Sequence, residues 1–233
     1  MDQRLPHGRT PHYVREYQNL VRHLARTTED PRELAERAVG GAFKAVGAMQ
    51  AELIMEFAPG GAFTLVDVGC GSGRTATALK SVDRLRYIGT DVVPELLDYA
   101  RKAAGRPDWR FETVSSLAIP AEDESADIVQ FMSVFTHLTD AEVGALLDEA
   151  ARVLKPGGAL IASFLDREEK RHVAMFRPPW RQRVARLFRK DVMISFTTEA
   201  AFTRAVEART IAVSEVRKGE KYGHHILIGR KKG

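Results

Sequence analysis

From residue 63 onward, short apolar runs alternate with helix-prone segments, and that rhythm restricts the chain to a doubly wound, mostly parallel sheet. Phe63–Val68 is an apolar run of strand length, followed by a glycine-rich turn and a helix over Thr75–Ser81. Tyr87–Thr90, Trp109–Val114, Asp127–Met132 and Ala159–Leu165 read as four further strands. Between them lie a helix Pro94–Ala104 and a second ending at Leu154, opened by the capping box Thr139-Asp140-Ala141-Glu142. Lys155-Pro156-Gly157-Gly158 is expected to stop that second helix. The end of the chain changes pattern: a helix Thr198–Ala208, then strands Ile211–Val216 and His225–Gly229 joined by the polar turn Arg217–Gly223. The expected fold is therefore α/β, a seven-stranded doubly wound sheet whose last strand is antiparallel.

Ahead of the sheet, residues 1–30 are polar and basic, with three His and five Arg, and Pro31 closes the stretch. Residues 32–57 place Leu34, Ala38, Val46, Met49, Leu53 and Phe57 at helical spacing, interrupted by Gly40-Gly41 and Gly47. Pro59-Gly60-Gly61 marks a boundary. The division is a helical cap over 1–60 and a sheet domain over 61–233, the latter carrying a long insertion at about 167–196. A single Cys excludes a disulfide framework and a Cys-rich zinc site, and it suits a reducing, cytoplasmic setting. No signal-like apolar run opens the sequence, and no run of 18 apolar residues predicts a transmembrane segment.

The densest chemical signal is Val66-Asp67-Val68-Gly69-Cys70-Gly71-Ser72-Gly73-Arg74. Glycines at the carboxyl end of a first strand let the backbone approach a ligand closely, and the next helix aims its N-terminus there. The competing reading is a tight strand-to-helix turn. A dinucleotide fingerprint calls for Gly or Ala at position 74, and Arg74 stands there, so the run suits one nucleoside without a pyrophosphate. Asp91 ends the second strand, 18 residues after Gly73, where a carboxylate can accept both ribose hydroxyls. Helix capping is its alternative role.

The glycine run, Asp91 and Arg152-Val153-Leu154-Lys155-Pro156-Gly157-Gly158 together resemble class I S-adenosylmethionine (SAM)-dependent methyltransferases, over roughly residues 62–166. Ser133-Val134-Phe135-Thr136-His137-Leu138 resembles a bacterial subgroup acting on small molecules and saccharides, and Arg37-Ala38-Val39-Gly40-Gly41 is similar to its leader helix. The resemblance implies SAM as cofactor. It places Asp67, Gly69, Gly71 and Gly73 around the methionine end, Asp91 on the ribose and Val92 on the adenine. Where the family sets an acid or amide after strand three, this chain has Val114-Ser115-Ser116-Leu117, which leaves Ser115, Ser116 and Leu117 as the adenine contacts. Met132 and Ser133 are implied beneath the sulfonium. The Asn/Asp-Pro-Pro-Tyr/Phe motif of base amino methylation is replaced by Met132-Ser133-Val134-Phe135. The one thiol, Cys70, sits in the glycine loop rather than near strand four, and no carboxylate cluster for a metal follows that strand.

His137 is the acid/base candidate close to the strand tips, since a hydroxyl acceptor gains from a base with a pKa near 7. Its alternative is a structural histidine bonded to backbone. His224 and His225 are rivals, expected at solvated strand ends. The net charge is a mild +4, yet residues 167–190 hold nine Lys or Arg against two Glu, a local balance of +7. Within it Trp180, Val184, Leu187 and Phe188 form an apolar stripe among Arg181, Arg183 and Arg186. That segment reads as a solvated basic helix, as a lid whose Arg181, Arg183 and Arg186 bind an anionic acceptor, or as a membrane-surface contact through 177–190. Nucleic acid is not expected as a partner. The preference for Arg, 25 against 10 Lys, fits a GC-rich bacterial genome. The reading is methyl transfer from SAM to a small-molecule acceptor, preferably a hydroxyl. An RNA- or protein-directed methyltransferase and a SAM-binding protein without methyl transfer stay open, as does the oligomeric state.

Overall fold

The computed structural model describes residues 10–40, 42–176, 192–219 and 223–233. Three helices, α1 (His12–Ala25), α2 (Pro31–Val39) and α3 (Phe43–Phe57), precede the sheet. The alternating part follows as β1 (Phe63–Val68), α4 (Arg74–Leu79), β2 (Leu85–Asp91), α5 (Pro94–Ala104), β3 (Arg110–Thr113) and β4 (Ala126–Phe131). A 3₁₀ turn Phe135–His137 then leads to α6 (Asp140–Val153), β5 (Leu154–Phe164) and α7 (Lys170–Phe176). The chain closes with α8 (Glu199–Glu207), β6 (Ile211–Arg217) and β7 (His225–Lys231).

The seven strands lie in the order β3-β2-β1-β4-β5-β7-β6. β7 runs antiparallel to both neighbours, and the other pairings are parallel, as the strand pattern requires. Strand residues point alternately to opposite faces, so a sheet covered on both sides needs apolar residues at every position. Leu65, Ile128, Ile161 and Ile228 enter one core, and their neighbours Val66, Val129, Leu160 and Leu227 enter the other. The reversal of strand order between β1 and β4 opens a crevice at the carboxyl ends of the strands.

Three local details depart from the sequence pattern. The polar stretch before Pro31 contains α1, which buries Tyr13, Val14 and Val21 on a narrow stripe among charged neighbours. Gly47 does not interrupt α3; a Cβ there would lie 2.6 Å from the Arg74 carbonyl oxygen, so glycine lets α3 press on the start of α4. Lys155–Gly158 lies inside β5, as a bulge between the pairs Ala126–Leu154 and Ile128–Ala159, with Gly157 at a φ of 77°.

The capping box at Thr139 and Glu142 forms as expected. The insertion contributes α7 and an extended strap, 192–197, that returns beside β5 through an Asp166–Thr197 bridge. The stripe from Trp180, with Arg181, Arg183 and Arg186, lies outside the described residues. Among the described residues no helix is long and apolar enough to cross a membrane.

Candidate active site

The glycine loop follows β1 directly. Gly69, Gly71 and Gly73 all take positive φ (71°, 55° and 76°), a region costly for residues with a Cβ. Space closes the same positions. A Cβ on Gly69 would fall 2.5 Å from a Val134 methyl, and one on Gly71 would fall 2.5 Å from a Val39 methyl. The loop is therefore held between the turn after β4 and the end of α2. Ser72 Oγ donates to the Ala35 carbonyl at 2.8 Å, and Arg74 donates to the carbonyls of Val39 and Gly40. Cys70 is buried there as a free thiol that donates to the Gly71 carbonyl, and burial pushes its pKa well above the usual range.

Two carboxylates flank this loop. Asp91 accepts the Gly71 amide on one oxygen and the Val93 amide on the other, each at 2.9 Å. Burial pushes its pKa up to about 6 against those hydrogen bonds. Asp67 accepts from the Tyr87 hydroxyl at 2.6 Å and from Gln130 Nε2 at 2.9 Å, and burial brings it likewise to about 6. Asp91 thus shapes the loop while its carboxylate stays at the β2 tip. Val93, not Asp91, is the cap residue of α5.

These elements enclose a cavity of about 510 Å³, a size suited to a small ligand. Asp67, Gly69, Gly71, Asp91, Val92, Ser116, Leu117, Met132, Ser133 and His137 line it, as the sequence placed them together. Gly73 and Ser115 do not. Gly73 instead lets α4 start close to α5, a Cβ there meeting Ala100 at 2.6 Å, and Ser115 is exposed. Ser133 holds a φ of 62°, rare for a residue with a side chain, and its amide donates to Ser163 Oγ at 2.7 Å.

Three of the lining residues that sequence reasoning did not assign to the site carry polar groups of note. Arg74 is the cation that lines the cavity among the described residues; burial lowers its pKa, and the Asp67 charge opposes that. Tyr13 and Tyr17, one turn apart on α1, form the opposite wall. The Tyr13 hydroxyl is buried without a hydrogen-bond partner among the described residues. Their signal was the i, i+4 spacing of two tyrosines in an otherwise charged stretch.

His137 ends the 3₁₀ turn with its ring edge-on to Tyr17 at 5.2 Å. Its Nδ1 lies 2.8 Å from the Met193 carbonyl oxygen. A carbonyl only accepts, so the proton sits on Nδ1 and Nε2 keeps its lone pair. Burial lowers the pKa, which keeps the ring neutral near pH 7. The expectation of solvated ends for His224 and His225 fails. α7 and the end of β6 fold over the start of β7: His225 is 2% exposed, accepts the Gly219 amide on Nδ1 at 3.0 Å, and packs against His172 at 4.6 Å. His224 lines the cavity, and burial lowers its pKa to about 4.

Residues 66–162 match a family model described as a methyltransferase domain. The demethylmenaquinone methyltransferase of Deinococcus radiodurans is 38% identical over 100 residues, 42% of this chain and 41% of that protein. The ubiquinone biosynthesis O-methyltransferase of Xanthomonas oryzae pv. oryzae is 33% identical over 107 residues, 44% of this chain and 43% of that protein. The chain covers less than half the length of these relatives. A chain of the complex between the Haloferax volcanii Trm112 methyltransferase activator and a methyltransferase shares the fold, with a TM-score of 0.66 at 18% identity. That likeness covers 97% of this chain and all of the other.

Proposed function

We propose that the protein is a class I SAM-dependent methyltransferase, as the match of residues 66–162 to a methyltransferase domain supports, and that it transfers a methyl group from SAM to a hydroxyl of a small, ring-bearing acceptor. The cavity wall fits the donor. Gly69 and Gly71 bring main chain to the cavity wall, Asp91 stands where a ribose is held, and Arg74 and Asp67 offer opposite charges for an amino-acid end. Bound there, SAM supplies an electrophilic methyl group on a sulfonium, whose sulfur leaves as a neutral thioether.

The observation that carries the oxygen assignment is that His137, a cavity-lining residue, is fixed through Nδ1 on the Met193 carbonyl, which leaves Nε2 unprotonated. His137 Nε2 takes the hydroxyl proton as the acceptor oxygen bonds the methyl carbon, and the electron pair of the broken C–S bond stays on sulfur. A neutral base near pH 7 contributes about 10²–10⁴-fold in such a step. Tyr13 and Tyr17 orient the acceptor, and the edge-on contact of Tyr17 with His137 joins α1 to the turn after β4 beside it. Val46, Met49, Leu138 and Leu146 also line the cavity and favour an apolar ring over a polyhydroxylated sugar, which would leave many hydroxyls unpaired. The quinone names of two relatives support the same acceptor class.

The test is transfer from methyl-labelled SAM to a panel of phenols, sugars, amines and thiols. Phenolic hydroxyls should be labelled fastest. Labelling of amines or thiols with none at any hydroxyl would overturn the reading.

A further inference from the structure

Glu16 reaches the His137 site from 121 residues earlier in the chain, through one residue of the returning strap. The Met193 amide donates to Glu16 Oε2 at 2.9 Å, and the Met193 carbonyl accepts from His137 Nδ1 at 2.8 Å. Met193 is thus bound on both sides, by an acid of α1 and by the histidine of the 3₁₀ turn. We infer that Glu16 is a positioning residue for His137, fixing the ring's tautomer and direction by anchoring the main chain at Met193. This rests on the base role proposed for His137.

The rest of the strap explains why that anchor matters. Its far half is tied to the sheet domain: the Ser195 amide donates to the Thr136 carbonyl and Ser195 Oγ to the Leu138 carbonyl, both at 2.7 Å. The Thr197 amide donates to the Leu165 carbonyl at 3.0 Å. At Met193 the amide's partner is Glu16. Without it, among the described residues, the carbonyl that holds Nδ1–H would be set by the strap's far half. A misplacement of about 1 Å at such a group can cost roughly 10²-fold in rate.

Glu16 is itself held in place. Its other carboxylate oxygen lies 3.4 Å from His12 Nδ1, and His12 Nε2 lies 3.0 Å from Glu142, the capping acid of α6. The row His12, Glu16, Met193, His137 therefore links the docking of α1 on α6 to the state of the catalytic ring. Tyr17, the next residue of α1, presses edge-on to the same ring. Among the described residues, the charged and titratable groups facing His137 are Glu16 and Tyr17 from α1 and His224 from the turn before β7. Of these, the Glu16 carboxylate favours the protonated ring, against the burial that lowers its pKa.

The two parts of this role separate in two variants of the full chain. Glu16→Gln keeps an acceptor for the Met193 amide and removes the charge; Glu16→Ala removes both. Imidazole ¹⁵N spectra of histidine-labelled protein, with His137 assigned by loss of its signal in His137→Gln, read tautomer and pKa without any acceptor. In Glu16→Gln the Nδ1–H tautomer should persist while the pKa falls. The acid limb of kcat/KM then moves to lower pH, because the neutral base survives further into acid. In Glu16→Ala the tautomers should mix, and kcat should fall about tenfold or more with SAM affinity unchanged.

Should Glu16→Ala not fold, Glu16→Leu, which removes the acceptor and fills the space, takes its place. A folded Glu16→Ala or Glu16→Leu with the His137 tautomer of the parent would overturn the proposal, and so would mixed tautomers already in Glu16→Gln, whose acceptor is intact. Spectra that respond as expected while turnover ignores both variants would support the positioning and overturn the base role instead.

Discussion

The wall of the cavity made by Asp67, Gly69, Gly71 and Asp91 belongs to one strand–loop–helix–strand unit, whereas the opposite wall takes Tyr13 and Tyr17 from α1, His137 from the turn after β4, and His224 from the turn before β7. The first wall is held by parallel pairing of β1 with both β2 and β4 and by backbone donors to Asp91. The second is held by side chains and strap contacts between segments far apart in sequence, such as Glu16 with Met193. α1 meets the donor wall through Gln18 Nε2, which donates to the Val92 carbonyl at 3.2 Å, so the donor wall should tolerate change at Tyr13 and Tyr17 better than the acceptor wall does. In a domain whose first wall suits one cofactor, the second is free to vary with the acceptor.

The largest expected effect tests the acceptor wall alone. His137→Ala should lower kcat on a hydroxyl acceptor by about 10²–10⁴ while S-adenosylhomocysteine affinity, measured by calorimetric titration, stays at the parent value. Near-normal turnover would reduce His137 to a backbone-bonded structural residue. A large loss of cofactor affinity would show instead that the two walls are not independent.

The donor wall gives the next effect. Asp91→Ala removes a carboxylate that accepts charge-assisted hydrogen bonds, each worth about 1.5–3 kcal/mol, and frees the Gly71 and Val93 amides. S-adenosylhomocysteine affinity should fall about tenfold or more. The raised pKa of about 6 adds a pH signature. Below that value the carboxyl is protonated and holds a ribose less well, so affinity in the parent should drop as pH falls from 7 to 5.

Stability of the ligand-free protein responds in the opposite sense. A carboxyl whose folded pKa lies above its unfolded value stabilises the fold at low pH, and that contribution is lost as pH rises through about 6. In Asp91→Ala the affinity change across this window should be much smaller. Equal pH dependence in parent and variant would assign it to another group, Asp67 being the nearest with the same shift.

The same contrast decides how much was legible in the sequence. The donor wall was readable because its geometry is local: glycines at φ above zero must be glycines, and Asp91 must end a strand whose pattern is visible. The doubly wound class and the antiparallel last strand were legible from the strand rhythm and the closing hairpin, while the strand order was not read from the sequence. The acceptor wall needs tertiary contacts that carry no periodic signal. α1 was hidden because its buried Tyr13, Val14 and Val21 are outnumbered by charged and polar neighbours. His225 was misread because a strand end is exposed only when nothing folds over it, and the cover here is His172 from α7, more than fifty residues earlier. Ser133 carries a strained φ that no residue type announces. Arg74 was visible as a departure from the dinucleotide pattern, but its place at the cavity depends on the carbonyls that end α2.

The smallest effect comes from one oxygen atom on the acceptor wall. The Tyr13 hydroxyl is buried with no partner among the described residues, and a buried polar group left unpaired costs about 1–3 kcal/mol. Burial and the nearby Glu142 push its pKa to about 12, so the group is a neutral donor rather than an anion. Tyr13→Phe removes that unpaired oxygen and keeps the ring against Val14 and the α6 side of the core. The melting temperature should therefore hold or rise slightly. If the hydroxyl is completed by the acceptor, KM for the acceptor should rise severalfold with S-adenosylhomocysteine affinity unmoved. A falling melting temperature would mean that the oxygen is already satisfied in the free protein. A loss of cofactor affinity would place Tyr13 on the donor wall and break the division between the two.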